Sequence, residues 1–593
     1  MTAINGTARW GIVPASGNSS QLAYLSEYHD YNYLKSANDQ LRYEIVISNG
    51  GEGAEPAVEG DVVNVIFDVE TSVTGNYWTT IGTIKKSRDI TNKRYYAGNA
   101  PAGHRFTIDV SQLVADQLSY SLCPINKGTW QSNFYGGMNG GLTMQDNVIN
   151  KDGNGGGSAI SIFNVSDNGT FRRLRLSATF EIIGSTANNG ALEMSTDDAK
   201  LSSTITVINS VNQFEKDSTI YQYVYNIGDS SDVSWQFLTR CPNWASSSIT
   251  QDFKKPVRID EQAEWLQFYI KEGESKNITS GGGSSGNQVC AMGIQIRTYI
   301  GDTLENTFYL TDFQNNILQS TYSSLAVVAN NQEQMFIQNI SPYYINNTAA
   351  LKKPPTIPPS TRSPTDIADN WVAYTGDKIT ANTTRYDAFL VKVALHSPYT
   401  LRRTTRIYQY TIDKESENIP YGFVRFHWLN SLGAIDSYTA KRDVVEGLTI
   451  SRDVIERKSG DRTWYQADEN KNGAVSPSDY ISDTMRGGDI YKGGREVTNV
   501  NADRVQSVYT EPLNKSVATW LEGIMLSPNV WIEMDTAATS VGNTINSDLR
   551  PSTKEYIPVI ITNSDIETVN QENGLVRFNI EYTLAHKVQT QRN

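Results

Sequence analysis

Residues 576–584 read VRFNIEYTL, and their alternation decides the fold class. Val576, Phe578, Ile580, Tyr582 and Leu584 share one side of an extended chain, while Arg577, Asn579, Glu581 and Thr583 share the other. A period of two with apolar and polar residues interleaved is the pattern of a half-buried β-strand. Working back from it, the same kind of segment recurs. Residues 41–49 (LRYEIVISN), 61–71 (DVVNVIFDVET), 76–85 (NYWTTIGTIK), 171–185 (FRRLRLSATFEIIGS), 290–300 (CAMGIQIRTYI), 386–395 (YDAFLVKVAL) and 421–429 (YGFVRFHWL) are rich in β-branched and aromatic side chains and bounded by Gly, Asn and Asp. The expectation is a mainly β chain of several β-sandwich domains, Ig-like or jelly-roll-like, with a few short helices.

Two helices are expected. In HRFTIDVSQLVADQL, Asp109 and Ser111 are placed to cap a short helix with Leu113, Val114 and Leu118 on one side. In NKSVATWLEGIML, Val517, Trp520, Leu521 and Ile524 fall at i, i+3, i+4 and i+7, with Asn514 as cap and Ser527-Pro528 as stop.

A chain of 593 residues is too long for one core and predicts roughly three to five domains. The divisions expected are an N-terminal β-sandwich over 1–125, β-rich domains over 126–350, a linker over 351–366 and β-sandwich domains over 367–593 with an insertion at 460–490. The linker, LKKPPTIPPSTRSPTD, carries five prolines, which favour an extended connector. Residues 127–158 and 280–287 are dense in Gly with Asn or Ser and read as loops. No repeat of fixed period argues for a solenoid or propeller.

Composition narrows the function. Net charge is −13 with no basic run, so neither nucleic-acid binding nor attraction to an anionic membrane is expected. No window approaches 18 apolar residues, and MTAINGTARWGIVPAS lacks the form of a signal peptide, so no membrane insertion and no export by a leader are expected. Cys123, Cys241 and Cys290 are odd in number and have no metal-type spacing, which fits free thiols made in a reducing cytosol. The five histidines are scattered, and no nucleophile elbow, Walker loop or dinucleotide fingerprint is present. A glycosidase needs only two facing carboxylates, and 64 acidic residues leave that class open on sequence alone.

One stretch has metal-ligand spacing. From Asp468, DENKNGAVSPSD supplies Asp468, Asn470, Asn472, the Ala474 carbonyl, Ser476 and Asp479 at loop positions 1, 3, 5, 7, 9 and 12, with Gly473 at the sharp turn. Ser476-Pro477 then suits a helix start. Position 12 is Asp rather than Glu, and the preceding GDRTWYQA does not read as an incoming helix. The alternatives are a weak Ca2+ loop, with no other cofactor, and a plain Asn-Gly turn between two strands.

The run FVRFHWLNSLGAIDSYTA, with Phe426, Trp428, Leu429, Asn430, Leu432, Gly433, Asp436 and Tyr438, resembles a signature of β-rich structural proteins of tailed-phage virions, including those of marine and gut phages. The order downstream is similar as well, from REVTNVNADRVQSVYTEPLNKSVATWLEGIMLSPNVWIE through YIPVIIT to FNIEYTLAHKVQTQRN. At the N-terminal end, HDYNYLKSANDQLRYEIVIS and HRFTIDVSQLV are similar to the family's first sandwich. Where that family has Gly-Gly-Trp after Leu-Gly, this chain has Ala434-Ile435. The resemblance implies a tail or baseplate structural protein without enzymatic activity, made in the host cytoplasm and assembled into the virion with itself and other tail proteins. The alternatives are a receptor-binding fibre that meets a host surface glycan or protein through the loops at 127–158 and 280–287, and a polysaccharide-cleaving tail enzyme.

Overall fold

The computed structural model describes residues 3, 7–10, 13–14, 22–23, 34–38, 41–48, 59–72, 78–88, 103–118, 141–143, 171–184, 191–202, 204–211, 224–226, 237–239, 254–259, 262–271, 290–310, 326–328, 334–347, 351–354, 372–393, 401–403, 405–414, 423–457, 494–535, 554–563 and 575–585. They form a mainly β protein of several multi-stranded sheets with three short helices, as the alternating segments predict.

Near the N-terminus, Thr7–Trp10, Arg42–Ser48 and Gly103–Asp109 make one small sheet. A larger sheet runs in the order Leu34–Ser36, Ile205–Ile208, Phe171–Ile183, Val62–Ser72, Thr79–Ser87. Their facing side chains share one core: Tyr43, Ile45, Ile47, Phe106 and Ile108 meet Phe67, Val69, Leu174, Leu176 and Phe180. Strands on both sides of residue 125 therefore bury the same interior. The helix Ser111–Ala115 closes this core with Val114. Its N-cap is Val110, and the Asp109 carboxylate accepts from the Ser111 and Leu41 amides (3.0 and 3.3 Å), so it ties the helix start to the neighbouring strand.

A nine-stranded sheet occupies the middle, with the main order Lys255–Arg258, Tyr408–Asp413, Arg385–Val393, Cys290–Ile300, Thr303–Leu310, Leu351–Lys353, Val372–Ala373. Its strands come from before and after the proline-rich segment. Leu351–Lys353, the first residues of that segment, are themselves a strand paired with Tyr309 and Leu310. Lys255–Arg258 runs parallel to Tyr408–Asp413, a pairing that requires a long crossover connection.

The C-terminal sheet is ordered Ile435–Ala440, Val424–Leu429, Val530–Asp535, Lys554–Ile561, Asn579–Leu584, Gly494–Tyr509, Arg442–Arg457. The helix Lys515–Leu526 packs on it with Val517, Trp520, Leu521 and Ile524 buried, and the Asn514 side chain accepts from the Val517 amide, as its spacing predicts. VRFNIEYTL keeps its alternation, with Val576, Phe578, Ile580 and Tyr582 buried and Leu584 half-buried. It divides into two short strands, because Leu575–Val576 pairs with Leu513–Asn514 while Asn579–Leu584 joins the main sheet.

Candidate functional site

The hairpin that carries the signature is built around its turn. Asn430 Oδ1 accepts from the amides of Leu432 and Ala434 (2.9 and 3.1 Å), which mimics a backbone turn. Asn430 Nδ2 donates to the Leu238 carbonyl and to Asp436 Oδ1, both at 3.0 Å. Gly433 sits at φ +77°, and a Cβ there would lie 2.5 Å from the Asn209 carbonyl oxygen, so only glycine fits. Gln267 completes the grip: its amide group donates to the Gly433 carbonyl and accepts from the Ile435 amide, both at 3.2 Å. Phe426, Trp428, Leu429, Leu432 and Tyr438 are buried, and Trp428 lies 5.2 Å from Trp520 of the packed helix. Gly523 lets that helix approach, since a Cβ there would meet Trp428 Nε1 at 2.7 Å.

Beneath the hairpin runs a seam of buried charge. Glu264 binds Lys255 Nζ at 2.5 Å through one carboxylate oxygen and Arg425 Nη2 at 2.6 Å through the other, with the three side chains 1–2 % exposed. Arg425 also donates to the Ala263 carbonyl (2.5 Å) and to Thr439 Oγ1 (3.0 Å), and Thr439 in turn donates to Gln262 (3.1 Å). The Lys255 ammonium lies 5.5 Å from the Trp520 ring centre, and Trp520 Nε1 donates to Asp436 Oδ2 at 3.0 Å. Charges removed from water persist only when paired, and Lys255, Glu264 and Arg425 are, with only Arg425 Nε of the guanidinium lacking a hydrogen-bond partner among the described residues.

A second buried relay adjoins the first. His427 Nδ1 is 2.8 Å from Ser437 Oγ, and His427 Nε2 is 3.4 Å from Glu533 Oε1, which also accepts from the Ala263 amide at 2.9 Å. Burial holds the His427 imidazole below its usual pKa, against the opposing pull of Glu533. Burial alone would raise Glu533, but the contact with His427, the Arg425 charge and the Ala263 amide outweigh it and hold the carboxyl below its usual value. A neutral imidazole suits the arrangement, with Nδ1 beside the Ser437 hydroxyl and Nε2 facing an ionised Glu533 at 3.4 Å, a contact too long for a good hydrogen bond. Serine, histidine and acid here share the connectivity of a nucleophilic triad, but Ser437 is 1 % exposed and His427 fully buried, both within strands of the sheet. Geometry of this kind clamps segments together.

The sequence-derived ligands Asp468, Asn470, Asn472, Ala474, Ser476 and Asp479 lie outside the described residues. The strands that bracket them, Arg442–Arg457 and Gly494–Tyr509, are antiparallel partners whose last pair is Arg457 with Gly494, so the segment 458–493 starts and ends at the tip of one ribbon. Among the described residues no group of His, Cys, Asp and Glu is arranged to hold a metal. Of the loops at 127–158 and 280–287, only the strand Gly141–Thr143 is described.

Sequence reading marked Asn430 and Gly433 as members of the signature and missed Lys255, Glu264, Arg425, His427 and Glu533. Glu264 stands in VRIDEQAEWLQFYIKE among several charges of ordinary appearance, and its partner Arg425 is 161 residues away. The one available signal was Arg425 and His427 alternating with Phe426 and Trp428 in a strand buried on both faces. Comparison of the chain with known protein families and with curated proteins finds no match.

Proposed function

We propose that this chain is a structural component of a bacteriophage virion, a tail or baseplate protein that builds a symmetric assembly with itself and other tail proteins. The observation that carries this reading is the place of the signature residues. Of the signature residues, Phe426, Trp428, Leu429, Leu432 and Tyr438 are buried in the core, Asn430 and Gly433 form the turn and bond Leu238 and Gln267, and Asp436 is buried, accepting from Asn430 and Trp520. The signature is thus a fold determinant, which supports an architectural part in preference to a catalytic one. The multi-sheet build and the ribbon exposed at one sheet edge support an assembly role as well. In this reading the 468–479 loop is a weak Ca2+ clip that stiffens an insertion.

Labelling the protein in purified particles and imaging them tests the proposal. Signal on the tail is the expected result, and particles that lack the protein overturn it. The exposed ribbon also favours a second reading, a receptor-binding fibre. A glycan array and a cell-binding assay separate the two, since a purely architectural part binds neither.

A further inference from the structure

The ribbon of Arg442–Arg457 and Gly494–Tyr509 leaves the C-terminal sheet at its edge. Only Val505–Tyr509 pair with a third strand, Asn579–Leu584, and beyond Val505 the two strands pair with each other alone among the described residues. The register sorts their side chains into two unlike faces. One face is polar along its middle, with Thr449, Ser451, Asp453, Asn499, Asn501 and Asp503 and with Asn499 donating to Asp453 at 3.1 Å, and carries Val445, Val505 and Ile455 towards its two ends. The other carries Leu448, Ile450 and Val454 opposite Arg504, Ala502 and Val497, with Val500 opposite Arg452. On this face Leu448 is 54 % exposed, Val454 49 % and Ile450 43 %. A two-stranded ribbon is marginal in water unless its apolar face is covered.

The charges on that face say what covers it. Glu446 lies two residues before Leu448, beside Arg504 at 2.9 Å, and Arg452 lies two residues after Ile450. The order along the strand is acid, apolar, apolar, base, which is complementary to itself when reversed. We infer that the arm docks on the same face of a second copy of this chain, antiparallel, about a two-fold axis between Leu448 and Ile450. In that arrangement Leu448 of each copy lies over Ile450 of the other, and Glu446 of each meets Arg452 of the other, as an isologous contact demands. From strand dimensions the arm face covers roughly 300–400 Å² per copy, about half of the ~800 Å² per partner of a stable complex. Pairing through the arms alone is therefore weak and concentration-dependent.

The inference does not rest on the virion reading, since arms can pair in a protein found in no particle. Sedimentation velocity of the full chain over a concentration series tests it, with circular dichroism confirming that each variant folds. The expected result is reversible dimerisation, weakened at least about ten-fold by Glu446→Arg and by Arg452→Glu, each of which sets like charges opposite one another. The double variant E446R/R452E restores the pairing, and Ile450→Lys abolishes it. A chain that stays monomeric throughout, a dimer indifferent to these variants, or a double variant no better than the singles overturns the inference.

Discussion

Replacing Glu264 by Gln keeps the shape of the side chain and removes its charge, leaving the Lys255 ammonium and the Arg425 guanidinium facing each other without a counter-charge. Both are all but sealed from solvent, at 2 % and 1 % exposure, so water cannot replace what is lost. Breaking one buried pair in this way costs about 3–5 kcal/mol. Gln still offers a carbonyl to one partner, so the variant should fall near 3 and Glu264→Ala near 5 kcal/mol. At about 2–4 °C per kcal/mol for a body of 150–250 residues, that lowers the melting transition by roughly 6–20 °C. Urea unfolding followed by tryptophan fluorescence suits the measurement, since Trp520, one of the chain's 11 tryptophans, sits beside Lys255. Lys85→Ala, which removes a pair whose lysine is 51 % exposed, serves as control and should cost at most about 1 kcal/mol. Converting Lys255, Glu264 and Arg425 together to Met should recover most of the loss, since the penalty lies in the unpaired charge. A Glu264→Gln protein within 1 kcal/mol of the parent would refute the claim that this seam holds the segments together.

Trp428→Ala should cost about 3–5 kcal/mol from lost packing and prevent assembly. Trp428→Phe should be milder than Trp520→Phe, because Trp428 Nε1 finds no hydrogen-bond partner among the described residues while Trp520 Nε1 serves Asp436, and chemical denaturation of the two variants checks the order. Gly433→Ala should destabilise by about 2 kcal/mol or more, since it combines a left-handed backbone with a Cβ driven onto the Asn209 carbonyl. Folded His427 and Glu533 both bind protons less readily than in the unfolded chain, so stability should fall as pH drops below about 6.5, first through His427 and then through Glu533. In melting curves from pH 8 to 4, His427→Gln should remove the upper part of that decline. Calcium chelation should raise protease sensitivity within 460–490 and nowhere else, and an unchanged digest leaves a plain Asn-Gly turn.

What the sequence shows well is local. The period of two in residues 576–584 and the 3.6-residue period of 515–526 report which side of an element is buried, and both held because burial there follows from neighbours close in the chain. Asn430 and Gly433 were legible for the same reason, as turn chemistry acts within five residues. Sheet order was not legible. The pairing of Lys255–Arg258 with Tyr408–Asp413 and the shared core of residues 41–118 and 171–207 depend on partners that no local pattern names. The five prolines of 351–366 read locally as a connector, yet hydrogen bonds of the nine-stranded sheet join chain from both sides of that segment. Buried charge is the hardest case, since a lysine bound for the interior has the same letter as one bound for water.

The distance between Glu264 and Arg425 along the chain also sets a timetable. At about 5–20 residues per second, a ribosome needs roughly 8–30 s to deliver Arg425 after Glu264 has emerged. Throughout that interval Lys255 and Glu264 lack their third partner, and the strand Lys255–Arg258 lacks the neighbour it will run beside. The middle of the nascent chain must therefore wait, unfinished, for its C-terminal third. A chain cut between Glu264 and Leu429 should aggregate or be degraded in its middle part, while the core of residues 37–207, whose strands all lie upstream, should close without it.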